Sequence, residues 1–218
     1  MDPNIVPRLI AVGIMLLLAF PIHEFSHAFA AYRLGDSTAR YMGRLTLDPR
    51  AHFDPLGAGI LALGAITTGF FIGWAKPTPV NPMNLAGGRR GEALVALAGP
   101  LSNLVLAALV AAPIRLLALN DSLMFTISAS PALSLVLDVL FFVVLINVFL
   151  FIFNLLPIPP LDGWKVLLGL VDPRTAYQLR QYEQYGFILI LLLFFLSYQG
   201  ILPIGEIGIG LTRFLLGS

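Results

Sequence analysis

His23, Glu24 and His27 lie inside one apolar stretch, in the run His23-Glu24-Phe25-Ser26-His27. On a helix, residues four apart project from one face. Two imidazoles at that spacing can grip a single zinc ion while Glu24 handles a proton on its bound water. Those parts would carry out metal-assisted hydrolysis of a peptide bond. The bland alternative is a hydrogen-bonded pair of helix histidines beside a snorkelling Glu. Ionisable groups inside apolar helices are costly and are kept where they serve a function, which favours the first reading.

Two histidines leave zinc in need of a third protein group and an open position for water. Cys is absent, so disulfides and thiolate metal sites are excluded and only His and carboxylates remain as strong ligands. Asp162 is the candidate. It stands in Asn154-Leu155-Leu156-Pro157-Ile158-Pro159-Pro160-Leu161-Asp162-Gly163, where three prolines must break a helix. Unwound backbone at membrane depth is tolerated only where it is buried in protein or lines a polar cavity. A lone Asp-Gly pair reads as a turn; beside the histidine motif, Asp162 reads as a ligand. The third histidine, His52, sits between Pro49 and Pro55. It is either a rival ligand or a hydrogen-bonded loop residue at the cytoplasmic surface, and the flanking prolines favour a non-helical loop.

The elements that must position these residues belong in a lipid bilayer. Hydrophobic residues make up 58% of the chain and charged residues 11%, with a mean hydropathy of +0.88, too little polar surface for a water-soluble domain. The 218 residues allow one helical bundle, so 1–218 is expected to form a single all-α polytopic membrane domain. A net charge of +1 with no basic run gives no sign of a nucleic-acid partner, and nothing in the sequence sets an oligomeric state.

The motif helix is expected over 9–34, read as an uncleaved span because Asp2 and only Arg8 precede it. Leu9 to Tyr32 alone gives ~36 Å of helix, enough for a ~30 Å hydrocarbon core. Further spans are expected over 93–119, 133–156 and 186–203. Asp138, in the 133–156 run, reads as an interfacial residue, and the Phe and Tyr residues as packing and lipid contact. Segment 56–82 carries Gly57, Gly59, Gly64, Gly69 and Gly73 and then three prolines, a density that weakens a helix. It is expected to be re-entrant or interfacial.

Parity supports that expectation. Asp162 can reach zinc only if an odd number of crossings separates the two motifs, so 56–74 cannot be a full span. Arg33, Arg40, Arg44, Arg50, Lys76, Arg89, Arg90, Lys165, Arg174 and Arg180 then face the cytoplasm, against Arg8, Arg115 and Arg213 outside. The site would lie toward the cytoplasmic side of a cell membrane.

The His23–His27 motif, the Asn154-x-x-Pro157-x-x-x-Leu161-Asp162-Gly163 run, Gly99-Pro100-Leu101-Ser102-Asn103 between them, and the Gly- and Pro-rich stretch around 69–82 together resemble the site-2 protease family of intramembrane zinc metalloproteases. The likeness covers roughly residues 10–165 and is to the compact branch without appended PDZ or CBS domains. It implies zinc on His23, His27 and Asp162, Glu24 as general base, and transmembrane proteins as substrates. It also implies Asn154 as the residue holding the substrate backbone, and Asn103 as a further substrate-binding candidate. Either asparagine could instead serve as an interhelical hydrogen bond. A substrate helix must be unwound locally before attack. The stretch 69–75 is either a strand edge that pairs with it or a connecting turn. Two other classes use the same residues. A divalent-metal transporter would spread its ligands along a path, and an inactive scaffold would have lost Glu24 or a ligand; here the ligands converge and none is missing.

Overall fold

The computed structural model describes residues 5–67 and 73–217, and every regular element among them is helical. Helix α1, Ile5–Arg33, runs for 29 residues, about 43 Å, and carries the motif in its second half. A wide π turn at Met15–Ala19 interrupts it, closed by the Phe20 N–H on the Met15 carbonyl. Pro21 follows at once; it lacks an N–H and its ring crowds the preceding turn, which the wider turn absorbs. The helix ends in a Schellman turn. Gly35 takes φ +104°, its N–H reaches Tyr32 O at 3.2 Å and the Asp36 N–H reaches Ala31 O at 2.9 Å.

Single helical turns at Thr38–Tyr41 and Pro49–His52 lead into α2, Pro55–Thr67. Its 13 residues give about 20 Å, short of a ~30 Å core. The chain then comes back beside its own entry point. A Cβ on Gly57 would stand 2.2 Å from Trp74 O, and one on Gly73 would stand 2.6 Å from Leu61 Cβ, so both positions exclude a side chain. The Lys76 N–H donates to His52 O at 2.8 Å. Residues 73–81 have no regular structure, and most of the strand edge considered at 69–75 lies outside the described residues.

Helix α3, Arg89–Leu117, is the central element, packed against α1, α5 (Pro131–Asn154) and α6 (Asp162–Leu170). Between α3 and α5 come a short α4, Asp121–Ala129, and a tight turn. Ala107 and Ala111 of α3, fully buried and one turn apart, let Val144 and Val148 of α5 approach closely. Small residues at a crossing are how membrane helices pack when lipid supplies no hydrophobic drive. Ala11 and Met15 of α1 meet Leu61 and Ala65 of α2 and Ile146 of α5 in a second cluster. Last come α7, Pro173–Tyr198, with a 3-10 turn at Gln181–Tyr185, and α8, Ile204–Leu216, against α3 and α5.

By length and composition, α1, α3, α5 and α7 are each able to cross a membrane, in keeping with an all-α polytopic protein. The first three lie close to the expected spans. The fourth starts earlier, at Pro173, because a polar amphipathic turn is continuous with the apolar run. That run stops at Tyr198 rather than 203, and Gly200 at φ +72° turns the chain into α8, a helix not expected from sequence.

Candidate metal centre

Residues 23 and 27 face α3 from consecutive turns of α1, both buried. Their Nε2 atoms lie 3.0 Å apart, and Asp162 Oδ2 lies 3.2 Å from the first and 3.1 Å from the second. Among the described residues, these three form the one group of His or carboxylate side chains able to hold a metal ion, with ligand atoms all within 4.8 Å of one another.

Proton bookkeeping decides what belongs in the middle. His27 Nδ1 stands 2.7 Å from the Val95 carbonyl, which can only accept, so Nδ1 carries the hydrogen. His23 Nδ1 is 2.6 Å from Asn103 Oδ1. The Asn103 amide donates to Asn147 Oδ1 at 2.9 Å, and the Asn147 amide donates to the Val143 carbonyl at 2.8 Å. That backbone acceptor fixes both asparagine orientations, and therefore His23 Nδ1 is also a donor. Both neutral rings then present bare Nε2 lone pairs to each other and to a carboxylate. A single proton could satisfy only one pair of those three acceptors; a divalent cation satisfies all three. The donor set, two imidazoles and one carboxylate, suits zinc.

Two glycines make the convergence possible. A Cβ on Gly99 of α3 would stand 2.3 Å from His27 Nε2 and 2.7 Å from His23 Cε1. One on Gly163 would stand 2.2 Å from Leu155 O and 2.4 Å from Leu156 O. The loop 155–161 can therefore fold back tightly and deliver Asp162 at the first turn of α6.

Glu24 meets the returning segment. Its Oε2 accepts the Thr78 N–H at 2.7 Å, and its backbone carbonyl accepts the Thr78 hydroxyl at 2.9 Å. Asn154, at the C-terminal end of α5, is partly exposed, with its amide on the Leu150 carbonyl at 3.0 Å. Asn103 is fully buried on His23 rather than open to a substrate. Asn147 was missed in the sequence, although a lone amide within the apolar run 139–153 was a signal. His52 is not part of the cluster. It is buried, with Nε2 donating to Thr46 O at 2.8 Å, and it ends a helical turn where a non-helical loop was expected. Pro49 is at the first helical position, where its fixed φ favours a helix start, and Asp48 caps that turn through the Arg50 N–H.

The model of Peptidase family M50 matches residues 10–197. The chain is 42% identical over 182 residues to a Bacillus subtilis protein named "Putative zinc metalloprotease YwhC", covering 83% of this chain and 78% of that one. It is 35% identical to proteins named "Putative zinc metalloprotease Rip2" from Mycolicibacterium smegmatis and Mycobacterium tuberculosis. Those matches cover 81% and 82% of this chain but 63% and 64% of the mycobacterial proteins, so the chain spans under two thirds of their length. No solved structure matches the chain significantly.

Proposed function

The chain belongs to peptidase family M50, and from that premise we propose that it is an intramembrane zinc metalloprotease that hydrolyses peptide bonds in or near the transmembrane segments of other proteins. One observation carries the reading: three acceptors meet at a single point, two of them on a helix able to cross a membrane, with Glu24 one residue from a ligand. His23, His27 and Asp162 hold the zinc. When bound, zinc supplies a Lewis acid that lowers the pKa of water to about 7 and polarises a carbonyl. Glu24 takes the proton of the attacking water on its carboxylate and returns it to the leaving amine. Because the ligands gather at one point and not along a path, transport of the metal is not favoured.

Asn154 remains the residue to hold substrate backbone. It is partly exposed at the end of α5 that leads to the Pro-rich loop, and its amide donates to the Leu150 carbonyl of its own helix. Asn103 acts instead on His23, fixing which nitrogen carries the hydrogen. The return of the chain beside Gly57 and His52 supports the re-entrant reading of 56–74. With that path, the cationic residues fall mainly on one side, which supports a site toward the cytoplasmic face of the cell membrane.

A proteomic comparison of membrane fragments from cells carrying the native protein and cells carrying Glu24→Gln tests the reading. Fragments present only with the native chain are expected, ending in or beside apolar segments. Identical fragment sets would overturn it.

A further inference from the structure

Glu24 has a metal ligand as its neighbour, yet the partner of its carboxylate comes from 54 residues away. Thr78 brackets it with two bonds, N–H to Oε2 and hydroxyl to the backbone carbonyl. Pro77 and Pro79 flank Thr78 and have no N–H, so the Thr78 amide is the sole backbone donor of that tripeptide. The segment is moored at both ends. Lys76 N–H is on His52 O at one end, and Asn81 N–H is on Asp36 Oδ2 at 2.7 Å at the other. Asp36 Oδ1 also accepts the Asn84 amide at 3.1 Å, the Thr38 N–H at 3.0 Å and the Thr38 hydroxyl. Asp36 is fully buried, and the Schellman turn that ends α1 puts it there. The far end of the motif helix thus reaches back to Glu24 through Asp36, Asn81 and Thr78.

We propose that Thr78 is the positioning residue of the general base and that Asp36 is the clamp that holds Thr78 in place. With one carboxylate oxygen fixed by the Thr78 amide, the other takes the water proton. The inference rests on the reading of Glu24 as general base. It requires that loss of the amide lower kcat while leaving KM and bound metal alone.

The experiment uses the full chain in detergent, with casein as an unstructured substrate and Glu24→Gln as the blank. Thr78→Pro removes the amide hydrogen and is expected to lower kcat by roughly 10–100-fold, the scale of a misplaced catalytic group, with KM and zinc content within about twofold. Thr78→Ala keeps the amide and should lose about threefold; Thr78→Ser should restore most of that. Asp36→Asn, a change of nearly equal size, should lower kcat in the same way. Combined with Thr78→Pro it should add little, because both act through one group. In the Glu24→Gln background, Thr78→Pro should change nothing further. An unchanged kcat in Thr78→Pro would overturn the proposal, as would a loss shared by zinc content and KM, or independent losses from Thr78→Pro and Asp36→Asn. A native chain no faster than the Glu24→Gln blank would instead count against the general-base reading beneath it.

Discussion

The two faces of the motif helix are held by different kinds of structure. On one, His23 and His27 are fixed by α3 through Asn103 and the Val95 carbonyl, with Asn147 of α5 behind them. On the other, Glu24 is fixed by an irregular segment moored to loops. The ligand side therefore depends on helix packing and a closed polar network, where a missing partner leaves a buried donor unpaired. The base side depends on a few bonds at the edge of the bundle. Removing helix contacts should cost metal, and disturbing the segment should cost turnover.

The largest separation of the two sides should come from Glu24→Gln. It removes only the proton acceptor, so peptide hydrolysis should fall at least ~10²-fold while zinc stays bound. Metal analysis and turnover on the same preparation check it, and near-native turnover would refute the role.

On the ligand side, Gly99→Ala drives a methyl group against His27 Nε2. Overpacking of this kind costs about 1–3 kcal/mol; the expected outcome is zinc affinity weakened roughly 10–100-fold, read by competition with a chelator. Asn103→Leu strands the His23 Nδ1–H and should weaken zinc over a similar or somewhat smaller range. Asn147→Leu leaves that bond in place and should cost only about threefold, near the modest average for interhelical hydrogen bonds in membranes. Equal losses in the two asparagine variants would break the chain of donors inferred here.

The mooring on the base side carries a pH dependence. Burial pushes the Asp36 carboxyl up, but the bonds from Thr38, Asn81 and Asn84 outweigh it and hold the group below its ordinary 3.8. The folded protein therefore binds fewer protons there than the unfolded chain. The stabilisation is fully present above the ordinary carboxylate range and is lost as pH falls through the depressed value. Thermal melting across acid pH should show that loss in the native chain and a flatter acid limb in Asp36→Asn. The smallest perturbation is a label: Met83 is 91% exposed, and Met83→Cys in this Cys-free chain should react with a membrane-impermeant thiol reagent only from the cytoplasmic side. Reaction from outside would refute the re-entrant path.

The ligand side was largely legible in the sequence. Residues four apart on a helix must share a face, apolar runs of this length must span, and three prolines before an Asp-Gly pair must make a loop. What escaped was set by partners distant in sequence. The need for glycine at Gly99 is invisible until α1 packs on α3, and Asn147 gave only the faint signal of one amide in an apolar run. Thr78 gave almost none, because a backbone N–H has no side-chain identity; only its flanking prolines hinted that its amide would be singled out. At His52, Pro49 was read as a helix breaker where its position made it a helix start. Helix α8 was obscured by its glycines, Glu206 and Arg213, which dilute the apolar signal.

The central claim is that three acceptors converge on one cation. Metal analysis with zinc-edge X-ray absorption on the Glu24→Gln protein and on Asp162→Ala tests it most directly. The account predicts one zinc per chain in the first, with two imidazole nitrogens at about 2.0–2.1 Å and a carboxylate oxygen at about 2.0–2.2 Å, and loss of most of that zinc in the second. Zinc undiminished in Asp162→Ala, or a first shell without two imidazoles, would contradict it.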